Sequence, residues 1–144
     1  MGLPTELIIL ACLIVFAASF WIPFIIGVNT EPDENKPEDP FIRPLDLNQL
    51  RPWVHRAHRA HLNLLEQLLP FSLIVLLLDR VDGFTSVTYW AAVAFFSLRI
   101  AHAFGMISNT ARFPIRPMIY VAAWVCILIL VWQFFAGYAN QPSL

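Results

Sequence analysis

The 144-residue chain is 58% hydrophobic, only 13% charged, and has a mean hydropathy of +0.65. Soluble domains average about 25% charged residues, so the composition excludes an ordinary soluble domain and points to the membrane, while the length suits one domain. A net charge of −1 offers no footing to nucleic acid, and no nucleic-acid partner is expected.

No basic segment precedes the first apolar run, which is also longer than that of a secretory signal, so it reads as a retained span. Glu6 breaks the myristoylation pattern. Residues 7–30 carry no charge, and about 20 apolar residues suffice to cross a bilayer. A first helix is expected over about 5–30, with a kink at Pro23. Residues 31–53 hold five prolines and, before residue 44, seven charged groups. That composition predicts an extramembrane loop, about 31–47. A second helix is expected from about 48 to 78, capped by Asp46 or Asn48, kinked at Pro70 and stopped by the turn signal DRVDG. A third is expected over 86–107 and contains Arg99 and His102. After the short loop SNTARFP, Pro117 serves as first residue of a fourth helix, 117–138. The fold class is thus an all-α integral membrane protein, one four-helix domain over 1–144, with antiparallel neighbours where loops are short. Cys12 and Cys126 lie in apolar runs outside any CxxC spacing and read as small hydrophobes.

Basic residues orient the chain. Lys36, Arg43, Arg51, Arg56, Arg59, Arg112 and Arg116 lie toward the first and third loops, against Arg80 alone toward the other side. Those two loops are expected in the cytoplasm and both termini outside.

The stretch HRAHRAHLNLLEQLLPF, residues 55–71, places polar groups inside an apolar helix. Arg56, Arg59, Asn63, Glu66 and Pro70 step by 3, 4, 3 and 4, which confines them to an arc of about 80°. Leu62, Leu65 and Leu69 form the adjacent strip. Phe95, Arg99, His102 and Met106 repeat the pattern on the third helix. Charged groups facing lipid are costly, so the two stripes are expected to meet inside the bundle. Two readings of these residues stand side by side. Glu66 pairs with Arg99 or Arg59 as structural glue, or the arginines bind an anionic ligand or lipid head group. His55, His58 and His61 spread over more than about 100° of the helix, too wide to share one metal, and no metal site is expected. Trp21, Trp53, Tyr89, Trp90, Trp132 and Tyr138 near span ends read as an interfacial belt.

RAHRAHLNLLEQLLPF, residues 56–71, resembles the second-helix signature of the MAPEG family, membrane-associated proteins in eicosanoid and glutathione metabolism. Arg56, Arg59, Ala60, His61, Asn63, Glu66, Pro70 and Phe71 carry the likeness. RIAHAFGM (99–106) resembles the family's Arg-x-x-His run, and FPIRPMIY (113–120) its Pro-Ile-Arg start of the last helix. The resemblance is to bacterial-type members like the microsomal glutathione transferases. It implies a homotrimer of multi-pass subunits among membrane lipids, in the inner or plasma membrane if the source is bacterial, with glutathione as substrate or cosubstrate between subunits. It also implies that Arg56, Arg59, Asn63, Glu66, Arg99, His102 and Tyr120 bind glutathione, and that Arg116 is catalytic by stabilising the thiolate. A guanidinium at a helix N-terminus lowers a thiol pKa, which agrees with that role. The expected activity is a glutathione transferase or peroxidase acting on lipophilic electrophiles. The alternative is a non-catalytic scaffold or lipid-binding protein that keeps the fold. A small transporter ranks last, because the outer halves of the first and fourth helices offer almost no polar path. Met106 stands where several members have Tyr, and Pro117 where prostaglandin-forming members have Ser. Both departures argue against prostaglandin or leukotriene synthesis.

Overall fold

The computed structural model describes residues 2–32, 34 and 50–139. Asp46 and Asn48, the expected caps, and the loop cations Lys36 and Arg43 lie outside the described residues. Five helices follow in order: α1 (Thr5–Ser19), α2 (Trp21–Asn29), α3 (Pro52–Arg80), α4 (Ser86–Ile107) and α5 (Ile115–Ala139). With α1 and α2 taken together, four helical segments are long and apolar enough to cross a membrane.

The first span breaks at Phe20, earlier than the kink expected at Pro23. Proline's ring clashes with the carbonyl four residues back, and four back from Pro23 is Ser19, where α1 ends. Phe20 N then donates to both Phe16 O (2.9 Å) and Ala17 O (3.3 Å).

α2 lies directly against the start of α3. A Cβ on Gly27 would sit 2.6 Å from Val54 Cγ2, so only glycine permits the approach. Arg51 ties the two helices together. Glu31 Oε1 accepts from Arg51 N at 2.8 Å and lies 3.2 Å from its Nε, while Arg51 Nη2 donates to Gly27 O (3.1 Å) and Thr30 Oγ1 (2.7 Å). α3 begins at Pro52 and not near residue 48. A residue that precedes proline is driven to extended backbone, and Arg51 has φ −51° and ψ 140°. Pro52 itself tolerates the first helical turn, whose N–H would be unpaired anyway. α3 also outlasts the expected end at 78, and closes where Asp82 turns left-handed (φ 49°) and Gly83 N donates to Leu78 O at 2.9 Å.

Thr85 caps α4 reciprocally: Thr88 N donates to its side chain, and Thr85 N donates to Thr88 Oγ1. Thr88 Oγ1 also donates to the buried Glu6 Oε1 at 2.7 Å, which fixes α1 to the head of α4. α5 starts two residues before Pro117, which therefore occupies its first turn.

The core lies where α1, α3, α4 and α5 meet. Ala57, Ala60, Leu64, Gln67, Leu68 and Phe71 form the inward face of α3. Phe71 stacks flat on Phe95 of α4, with ring centroids 4.1 Å apart and planes 4° from parallel. This rotation of α3 corrects one expectation. Its Arg59 and Glu66 are exposed on the surface of the chain beside Leu62, Leu65 and Leu69, so the two polar stripes do not meet as a whole inside the bundle. The small and apolar residues Ala57, Ala60 and Leu64 pack more closely than the charged stripe could, and they take the interior.

Candidate functional site

The C-terminal half of α4, the loop after it and the first turns of α5 enclose one pocket. The α4 stripe turns fully inward: Phe95, Arg99, His102 and Met106 are all buried. After α4 the chain reverses at Asn109, whose left-handed φ of 60° asparagine accepts more readily than most residues. Thr110 N and Ala111 N both donate to Gly105 O, at 3.1 and 3.0 Å. The loop therefore folds back onto Gly105, where a Cβ would lie 2.7 Å from Ala111 Cβ. Arg116 N then donates to Arg112 O at 3.0 Å as α5 begins.

The pocket so formed has a volume of about 620 Å³. Its polar lining is Asn63, His102, Asn109, Arg112, Arg116 and Tyr120, with Phe113, Pro117 and Val121 among the apolar walls. Among the described residues two guanidiniums and no carboxylate line it, so their field suits an anion. Arg116 is half-buried at the first turn of α5, where helix N–H groups add partial positive charge. A shallower, almost wholly apolar groove of about 440 Å³ adjoins it through Pro117 and Val121 and extends to Met118 and Ala122.

The expected site residues divide into three groups. Asn63, His102, Arg116 and Tyr120 come together in the pocket. Arg99 lies behind the wall, its Cζ 5.9 Å from the Tyr120 ring centroid. Arg56, Arg59 and Glu66 do not line the pocket. Arg56 Nε donates instead to Ile107 O at 3.1 Å, a cation on the last carbonyl of α4. Glu66 makes no ion pair with Arg99 or Arg59 among the described residues, so of the two readings the pairing within one chain is not formed.

Asn63 is held in one orientation. Its Nδ2 donates to Arg59 O at 2.7 Å and approaches Met106 Sδ at 3.8 Å. A backbone carbonyl and a thioether are both acceptors, so both amide protons are engaged and Oδ1 remains free.

Sequence reasoning missed Gln67, Asn109 and Arg112. Gln67 is fully buried, and its Nε2 donates to Tyr120 O at 3.3 Å. Its spacing from Ala60, Leu64 and Phe71 was a usable signal, since those positions share one helical face. Asn109 and Arg112 reach the pocket through the turn at Gly105, and no helical spacing announces that.

A bundle with four helices long and apolar enough to cross a membrane, and a cationic pocket at one end, defines the class: an integral membrane protein. The sequence model of the MAPEG family matches residues 8–136, and the chain belongs to that family, whose members include glutathione transferases and peroxidases among others. Comparison with curated proteins and with solved structures gave no match.

Proposed function

We propose that the protein binds glutathione and uses its thiolate against lipophilic electrophiles. The observation that carries this reading is Arg116, half-buried beside Arg112 in a pocket lined by no carboxylate among the described residues. A guanidinium there stabilises a thiolate over the thiol and raises the nucleophile present at neutral pH. In a transferase reaction the thiolate sulfur bonds to the electrophilic carbon and the leaving group departs with the electron pair. In a peroxidase reaction two thiols become a disulfide while the peroxide becomes an alcohol and water. The adjoining apolar groove at Met118 and Ala122 suits the lipophilic partner.

Glu66 supports assembly as a homotrimer with the site between subunits. It stands midway along the 29-residue α3 and is exposed on the protomer surface. A lone carboxylate facing lipid at that depth costs several kcal/mol, whereas a neighbouring subunit with bound glutathione gives it and Arg59 polar partners. In this reading Arg59 and Glu66 complete from outside the pocket that Asn63, His102 and Tyr120 form from within. Both termini lie outside the cytoplasm, with the pocket at the cytoplasmic end.

Arg116→Ala tests the chemistry. The ultraviolet absorbance of bound thiolate should disappear and turnover should fall by about 10²–10⁴-fold, with the helix content unchanged. Full turnover in that variant removes Arg116 from the reaction.

A second reading has one observation in its favour. Met106 fills its position with a thioether that Asn63 approaches, and no phenol stands there to donate to a thiolate. On this reading the protein is a non-catalytic scaffold or lipid-binding protein with the family fold. Thermal shifts with glutathione and with anionic lipid separate the two: stabilisation by lipid alone favours the scaffold.

A further inference from the structure

Arg99 has no polar partner among the described residues. Its side chain is 1% exposed, and Nε, Nη1 and Nη2 are all buried without an acceptor. Two aromatic rings flank it instead, Phe95 and Tyr120, each with its centroid 5.9 Å from Arg99 Cζ. Two such contacts recover less than the desolvation of a guanidinium costs. The side chain is therefore poised to gain from any anion that reaches it.

The two rings differ in freedom. Phe95 is completely buried and locked face to face on Phe71. Tyr120 is half-buried, lines the pocket and stands 6.2 Å from the His102 ring. His102 is 2% exposed and held in the core, so Tyr120 is the part of the wall that can yield. Its main chain is pinned by Gln67 Nε2, which confines the motion to the side chain. Gln67 Oε1 is also buried without a donor, so an unfilled acceptor flanks Tyr120 together with the unfilled donors of Arg99.

We propose that Tyr120 is a gate over a second, deeper anion subsite, in which Arg99 takes a carboxylate of the ligand once the ring swings aside. The planar guanidinium matches a carboxylate with two parallel hydrogen bonds. Gln67 Oε1 then receives a water or a ligand N–H. The identity of the ligand rests on the glutathione reading, whereas the gate does not.

The test uses the full chain in lipid nanodiscs and a small arginine reagent, methylglyoxal, with modification resolved by mass spectrometry. In the wild type Arg99 should react far more slowly than Arg116. Tyr120→Ala should raise the Arg99 rate by at least about tenfold, and Tyr120→Phe should leave it at the wild-type rate. Tyr120→Val replaces the alanine variant should that one fail to fold. Equal Arg99 rates in wild type and open variants overturn the gate. In the open variant, glutathione should protect Arg99 and its diester, which lacks free carboxylates, should not. Protection by both, or by neither while calorimetry shows glutathione bound, overturns the carboxylate subsite. If glutathione does not bind at all, the glutathione reading fails by itself. Acetate then decides the subsite: protection of Arg99 supports it and lack of protection overturns it.

Discussion

Glu66 and Gln67 are adjacent, and the fold sends them to opposite surroundings. Gln67 enters the core and holds the Tyr120 carbonyl, while Glu66 faces out. The periodicity of residues 56–70 identifies a polar stripe, but it does not say whether the stripe meets its own bundle or another subunit. That choice depends on which face packs better, and Ala57, Ala60 and Leu64 win the interior. One expectation changes as a result. A Glu66 paired with Arg99 would have been needed for folding, and an exposed Glu66 is not. In the single chain Glu66→Gln touches no core contact and should keep the unfolding free energy within about 0.5 kcal/mol of the wild type, so a larger loss in the assembled protein measures the pairing between subunits. Glutathione affinity should fall roughly 10-fold or more, the loss of a charged hydrogen bond. Thermal unfolding and calorimetry on the same sample measure both. A collapse in stability of the single chain would place Glu66 back in an internal pair.

At the scale of elements, the four spans were legible because uncharged runs of bilayer length have few alternative meanings. Their boundaries were less so. Pro23 acts on the carbonyl four residues behind it, which moves the visible break to Phe20. Pro52 forces Arg51 out of the helix and delays α3. The loop at 108–114 was recognised as a loop, yet its part in the pocket was hidden, because it follows from contact across the turn between Gly105 and Ala111. Gly105→Ala sets a new methyl against the methyl of Ala111. It should cost about 1–3 kcal/mol as overpacking and move Asn109 and Arg112 away from the pocket. Ligand affinity should therefore drop more than the melting temperature, and a titration beside a melting curve shows which falls first. An unchanged affinity would mean that the loop does not shape the site.

At the scale of the whole molecule, the chain carries part of the proposed polar site on its outer surface. Arg59 and Glu66 stand among the exposed Leu62, Leu65 and Leu69 on α3. A trimer that covers this face makes a direct prediction. With Leu65→Cys in a background where Cys12 and Cys126 are replaced by Ser and Ala, a bifunctional thiol reagent in the native membrane should link subunits into dimers, the largest species that one thiol per subunit allows. Monomers alone after cross-linking would sink the shared site. Asn63 lends this assembly a sense of direction. Both its amide protons are committed to Arg59 O and Met106 Sδ, so it can only accept, whereas Arg112 and Arg116 can only donate. A ligand that offers an N–H to Asn63 and a carboxylate to the two guanidiniums would satisfy both, and one that presents an acceptor to Asn63 would leave its Oδ1 unpaired.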